Sequence, residues 1–398
     1  MLRNSTFTAL LLAACVSPPA DAPTPPTPPR FDERTACAAA PETSPVCIDD
    51  VSGIDEAAAR AALGDREFAV IRDGDRLTIF ARTPGQEANL CCSLQGPMTR
   101  IGETDLFVAR YRLARLDEAH FSLIPPAWFD GRTITDQDII RWSGANAPPL
   151  PARVETLRGE RFERTLWSEH LRETRRLYIY LPPGHDRNRT YPALFAADGA
   201  GVMTLATMVE RLILDNAIRP IVLIGAASGP EAIVEDRSSL GISDLRAADY
   251  LPGYEGGGDR FEQHLRFFAE ELPAYATREF GVTTDRTQRA VSGFSNGGSF
   301  SLYAALRRPE VFGIALPLSP SWRRLTDSDF SEDNRARFLI SGGLYEIGRQ
   351  RAASGYAEAL RTHGYDAAME TPVMGHDRDQ EAVMLARYLP IAFPPTER

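Results

Sequence analysis

Arg289-Ala290-Val291-Ser292-Gly293-Phe294-Ser295-Asn296-Gly297-Gly298 runs directly into Ser299–Arg307. A short strand leads in, a helix-compatible stretch leads out, and Gly-x-Ser-x-Gly stands between them. A serine placed on so sharp a turn needs tiny neighbours two residues before and two after, or strand and helix cannot approach each other. Gly293 and Gly297 meet that demand. The following helix directs its N-terminus at Ser295 and favours negative charge there. The spacing therefore predicts an exposed nucleophilic serine at the end of a buried strand.

A serine hydroxyl is a poor nucleophile and needs a base, itself oriented by a carboxylate. All 44 basic residues are arginine, so lysine is excluded as that base. Six histidines remain: His120, His170, His185, His264, His363 and His376. Where a nucleophile sits on such a turn, acid and histidine follow it in the chain, on loops after late strands. Arg337–Ser341 reads as a strand ending in Gly342-Gly343-Leu344-Tyr345-Glu346, and Met369–Val373 as another, before Gly375-His376-Asp377. Glu346 and His376 fall at the required places. His363 lies at the wrong end of the next strand, Asp327 and Asp329 come too early, and Asp377 adjoins the histidine.

Around this region strand-like runs alternate with helical ones. Glu160–Trp167, Arg175–Leu181, Tyr191–Ala197 and Pro220–Ala226 read as strands, while Val202–Asn216 and Arg260–Phe280 have helical character. Such alternation predicts a mostly parallel, doubly wound α/β sheet over residues 151–398. Residues 31–150 read differently, as a small all-β sandwich-like domain and connector. Phe68–Arg72 and Arg76–Ala81 flank the turn Asp73-Gly74-Asp75, and Asn89–Leu94, Leu106–Leu113 and Phe121–Ile124 add strands. Trp128 and Trp142 are expected to pack the connector against the second domain.

The 398 residues carry 44 Lys+Arg against 54 Asp+Glu, hence a formal charge of −10. Lacking lysine, the chain cannot use a P-loop lysine, a pyridoxal Schiff base or serine–lysine catalysis. The acidic balance argues against broad nucleic-acid binding, and Arg172, Arg175 and Arg176 read as a solvated strand edge. No cofactor and no metal are expected. Residues 1–14 read as a signal peptide whose end, Leu12-Ala13-Ala14-Cys15, resembles a bacterial lipobox. Residues 15–30 form a proline-rich tether. The expectation is export and lipid anchoring through Cys15 in the cell envelope, on the periplasmic face of the outer membrane. Disulfides are then permitted among Cys37, Cys47, Cys91 and Cys92. Adjacent cysteines seldom bond each other, so Cys91 or Cys92 is expected to reach Cys37 or Cys47.

Several further pieces carry a family resemblance: Tyr180-Leu181-Pro182-Pro183-Gly184, Tyr191-Pro192 with Asp198-Gly199, Arg246–Tyr250, Glu271-Leu272-Pro273, Pro317–Ser321, Gly343–Glu346 and Gly375-His376-Asp377. With the Ser295 motif they resemble, from about Arg153 to Leu389, the putative-esterase family of α/β-hydrolases. That family includes enterochelin, feruloyl and acetyl-xylan esterases, S-formylglutathione hydrolases and mycolyltransferases. The resemblance implies Ser295 as nucleophile, His376 as base, Glu346 as acid, and an oxyanion hole from the backbone amides of Asn296 and Ala200. One departure is the lack of tryptophan in Arg378–Val383, where family members often carry one shortly after the histidine. The implied activity is carboxylic-ester hydrolysis through an acyl-enzyme, on a small-molecule siderophore-type ester or an oligosaccharide ester. Acyl transfer by the same triad, and an inactive envelope lipoprotein binding glycan or protein, are the competing readings. Arg237 and Arg246 are candidates for an anionic or phenolic substrate, with salt bridges to Asp236 or Asp249 as their structural alternative.

Overall fold

A computed structural model describes residues 34–124, 139–230, 239–321, 323 and 325–396. Cys15, Trp128, Asp236 and Arg237 lie outside the described residues. The described residues belong to one compact unit.

The first part builds two antiparallel sheets. One runs β1 (Val46–Ile48), β7 (Leu106–Leu113), β3 (Arg76–Arg82) and β2 (Phe68–Asp73), with β6 (Thr99–Arg100) also on β7. Gly74, at φ 60°, makes the tight turn that pairs Asp73 with Arg76. The second sheet runs β5 (Gly96–Pro97), β4 (Asn89–Cys92), β8 (His120–Ile124) and β9 (Ile140–Ser143). Alternation along β7 decides which side chains meet. Phe107, Ala109, Tyr111 and Leu113 face the second sheet's Leu90, Phe121 and Leu123, and Trp142 packs on Phe121. Leu106 and Val108 turn the other way, onto a helix the strand pattern did not predict, α1 (Glu56–Leu63). Asp55 caps α1 by accepting from the Ala58 amide at 2.8 Å.

The cysteine expectation is corrected. Cys37 bonds Cys47, and Cys91 bonds its neighbour Cys92 across a cis peptide. Residues 35–37 run beside β1, with the Cys37 amide donating to the Ile48 carbonyl at 2.7 Å, so the Cα atoms of Cys37 and Cys47 lie 4.9 Å apart. That pair satisfies itself and leaves Cys91 and Cys92 only each other.

The second part is an eight-stranded sheet in the order β10-β11-β13-β12-β14-β15-β16-β17. Its strands are β10 (Glu160–Ser168), β11 (Glu173–Leu181), β12 (Ala193–Ala196), β13 (Val222–Ala226), β14 (Arg289–Phe294), β15 (Ile314–Leu318), β16 (Arg337–Ser341) and β17 (Ala367–Glu370). From β13 to β17 every pairing is parallel, and β10 and β11 are antiparallel additions. The central strands are buried on both faces, as their unbroken apolar runs require. Helix α2 (Gly201–Leu214) and the helix Arg378–Ala392 cover one face. The helices within Arg260–Phe280, Asn296–Arg307 and Ile347–Thr362 cover the other. β17 starts two residues before the expected strand and ends at Glu370, because its register pairs Ala367 with Phe338 and Pro372 has no N–H to extend the ladder.

Arg175 corrects another expectation. β11 lies inside the sheet, so Arg175 is fully buried, donating to Asp249 at 2.8 and 3.2 Å and to the Ala227 carbonyl at 2.9 Å. Arg172 alone of the three arginines is well exposed. Among the described residues no helix is long and apolar enough to cross a membrane.

Candidate active site

Three loops at the carboxyl ends of parallel strands assemble the site. Ser295 follows β14 at φ 62° and ψ −123°, a conformation that costs of order 1–3 kcal/mol outside glycine and survives only where its surroundings impose it. Here they do. The Ser295 amide donates to the Leu318 carbonyl at 3.0 Å, and the helix Asn296–Arg307 starts at the next residue. A Cβ on Gly293 would collide with the backbone of Gly297, and one on Gly298 with the Leu318 carbonyl. Asn296, as the first helical residue, has no intrahelical acceptor for its amide.

The turn after β12 lies alongside. Asp198 takes φ 55°, and Ala200 caps α2, so its amide is likewise outside the helical ladder. Arg246 joins this turn to the serine turn. Its Nε and Nη2 donate to Asp198 at 2.7 and 2.6 Å, and Nη2 also reaches the Phe294 carbonyl at 3.2 Å. Burial pushes the Asp198 pKa up, but the guanidinium outweighs it and holds the carboxyl below its ordinary value. The expected alternative partner, Asp249, is instead engaged by Arg175 and Arg260, which face it from β11 and from the start of the Arg260–Arg266 helix. Arg246 is thus tied up in the scaffold.

Glu346 ends the Gly342–Tyr345 turn after β16, and His376 lies beyond β17. Their side chains meet, Nδ1 of His376 against Oε1 of Glu346. Oε2 of Glu346 accepts from the Gly343 backbone amide at 2.8 Å and from the Gln380 side-chain Nε2 at 2.6 Å, and lies 2.8 Å from the Ser319 hydroxyl. A carboxylate accepting this many bonds is held in place and in the charged form. Burial would raise its pKa, yet the bonds from His376, Ser319 and Gln380 prevail and lower it. With Nδ1–H committed to Glu346, Nε2 is the ring's basic nitrogen. The His376 ring stacks on Phe294, the residue before Ser295, with centroids 4.4 Å apart. Burial lowers the His376 pKa, and Glu346 pulls it back only in part.

The other histidines serve packing. His264 is fully buried among Tyr250, Phe267, Phe268 and Phe300, and burial pushes it down to about 3. His363 stacks on Phe330, His185 on Tyr191, His170 meets Glu270 at 2.8 Å, and His120 bonds Ser143 and the Pro148 carbonyl.

The chain's first half supplies residues that no motif announced. Tyr345 stacks on Phe121 at 5.3 Å and donates to the Ala114 carbonyl at 2.7 Å, pinning the Glu346 loop to the β-rich part. Gly375 lies against the Ser93 backbone so closely that a Cβ would collide with it. Asp377 caps the helix Arg378–Ala392 through the Gln380 amide at 2.8 Å and binds the Ser93 hydroxyl and the Ser122 amide. Burial pushes Asp377 up to about 7. Ser319 and Gln380 were equally unforeseen as partners of Glu346, although Ser319 stands in the quoted Pro317–Ser321 run. No group of His, Cys, Asp and Glu suited to a metal ion occurs among the described residues.

Residues 168–350 match the family model described as putative esterase. The uncharacterized protein YjcH of Bacillus subtilis is 28% identical over 161 residues, which is 40% of this chain and 60% of that protein. An endo-1,4-beta-xylanase/feruloyl esterase of Xylanibacter ruminicola is 27% identical over 220 residues, 51% of this chain and 27% of that one. The chain thus spans about 60% of the length of the first curated relatives it matches. Among solved structures, the enterobactin esterase FES of Shigella flexneri with enterobactin superposes at a TM-score of 0.60 and 17% identity, covering 86% of this chain and 99% of its own. Ferric enterobactin esterase of Salmonella typhimurium gives 0.58 and 17%, covering 82% and 96%. The likeness includes both the β-rich part and the parallel sheet.

Proposed function

We propose that this chain, whose residues 168–350 match the putative-esterase family model, is a serine carboxylic-ester hydrolase with Ser295, His376 and Glu346 as its triad. The observation that carries the reading is the buried Glu346–His376 pair stacked on Phe294, next to a serine on a strained strand-to-helix turn. Ser295 Oγ attacks the ester carbonyl while His376 Nε2 takes its proton, and Glu346 holds the tautomer and stabilises the imidazolium. The amides of Asn296 and Ala200 receive the developing oxyanion, each worth on the order of 3 kcal/mol. His376 returns the proton to the departing alkoxide, leaving Ser295 acylated. Water, deprotonated by His376, then releases the acid and regenerates the serine.

The substrate is an envelope ester of siderophore or sugar type. The enterobactin esterases share both parts of the fold, and the relative bearing feruloyl esterase in its name shares sequence. The site of action is the cell envelope, reached through export and a lipid on Cys15, in line with the short apolar start and the proline-rich spacer. Labelling by a fluorophosphonate probe tests the chemistry: the wild type should be labelled and Ser295→Ala not. Hydrolysis of 4-nitrophenyl acetate should fall on the order of 10⁴-fold in the same variant. Undiminished turnover would refute the assignment.

A further inference from the structure

A groove of about 760 Å³ opens where the first turns of α2 and of the helix Arg378–Ala392 approach each other. Its lining includes the apolar side chains of Met203, Leu205 and Ala382, with Ala200 beside them. Arginines line its walls. Arg141 Nε lies 3.2 Å from Asp379, and Arg378 Nη1 2.6 Å from Glu381, so these two are neutralised locally. Arg153 and Arg161 are different. Arg153 Nη1 donates to the Thr204 carbonyl at 2.5 Å and to the Thr207 hydroxyl at 3.3 Å, and Arg161 Nη1 donates to the Met203 carbonyl at 2.5 Å. Neither forms an ion pair with a carboxylate among the described residues, and both are exposed.

Two uncompensated guanidinium groups on a chain of net charge −10 make this groove a local positive field within an acidic molecule. The N-termini of two helices add to it. Anchoring to carbonyls of the first turns of α2 holds each side chain over the groove and leaves further N–H groups for a ligand, so little ordering is needed on binding. The groove borders the proposed oxyanion hole, since Ala200, whose amide is one of its two donors, lines it.

We propose that this groove receives a carboxylate-bearing portion of the ester substrate, its apolar lining taking the body and Arg153 with Arg161 the carboxylate. The inference rests on the hydrolase reading above and names the substrate class that reading left open. A matched pair tests it: 4-acetoxycinnamate against the neutral 4-acetoxycinnamamide. The wild type should show a kcat/KM roughly tenfold higher for the acid, mainly through KM, with the preference shrinking as salt rises. In the Arg153→Gln/Arg161→Gln double variant the ratio should approach one; because both substrates share any general damage, the ratio survives partial loss of activity. Equal kcat/KM values in the wild type, or a preference retained in the double variant, would overturn the proposal. If neither these esters nor 4-nitrophenyl acetate is turned over, the hydrolase reading fails by itself. Calorimetric binding of 4-hydroxycinnamate and its amide to Ser295→Ala protein then decides the groove, tighter binding of the acid supporting it and equal binding refuting it.

Discussion

His376 joins three influences in one ring: burial, a carboxylate on Nδ1, and Phe294 beneath it. In the proposed mechanism only neutral imidazole accepts the serine proton, so activity falls as pH drops through the His376 pKa, which burial holds below 6.5. Glu346 raises that pKa, so Glu346→Gln should move the acid limb of the kcat/KM profile to lower pH. It should also cut kcat by on the order of 10²–10⁴, because a glutamine amide donating to Nδ1 selects the wrong tautomer. A limb that stays in place would separate Glu346 from His376. Asp377 gives a stability counterpart. Its pKa rises from 3.8 unfolded to about 7 folded, so the folded state binds the extra proton between those values. Its contribution is complete below about pH 4 and lost as pH rises through about 7. Asp377→Asn, which keeps the helix cap, should therefore lose less Tm than the wild type between pH 5 and pH 8, as read by thermal melts.

Among the elements, the turns after β12 and β14 depend on Arg246, which bonds Asp198 on one turn and the Phe294 carbonyl on the other. Arg246→Met keeps much of the side-chain volume but leaves a buried carboxylate without its partner. About 2–3 kcal/mol of stability should be lost, given that Arg246 retains some solvent exposure, and chemical denaturation measures it. Sequence reasoning found these strands and turns because each has a local signature: glycines where Cβ atoms would collide, apolar runs where both faces are covered. It missed α1 despite the Asp55 cap, since the surrounding strand pattern dominated the reading. It also placed Arg175 on a solvated edge, because one strand's sequence does not reveal that two neighbours enclose it.

At the scale of the whole molecule, the β-rich part is a wall of the site. Ser93 and Ser122 hold the His376 loop through Asp377, and Phe121 and Ala114 hold the Glu346 loop through Tyr345. A protein starting at residue 145 should therefore expose Tyr345 and Ile347, melt well below the full chain, and lose most esterase activity; a truncated form with full turnover would reduce the first part to an appendage. The amino-acid sequence by itself determined the strand-turn-helix around Ser295, the parallel sheet and the candidates Glu346 and His376, because steric demand and apolar periodicity act between near neighbours. Only the tertiary structure decided that Cys91 pairs with Cys92, that Arg246 serves Asp198, that Ser93 supports Asp377, and that Arg153 and Arg161 converge on one groove. Cys91 is left to its neighbour because Cys37 has taken Cys47; the other contacts join residues far apart in the chain, and their partners are selected by packing geometry and by which charges burial leaves uncompensated.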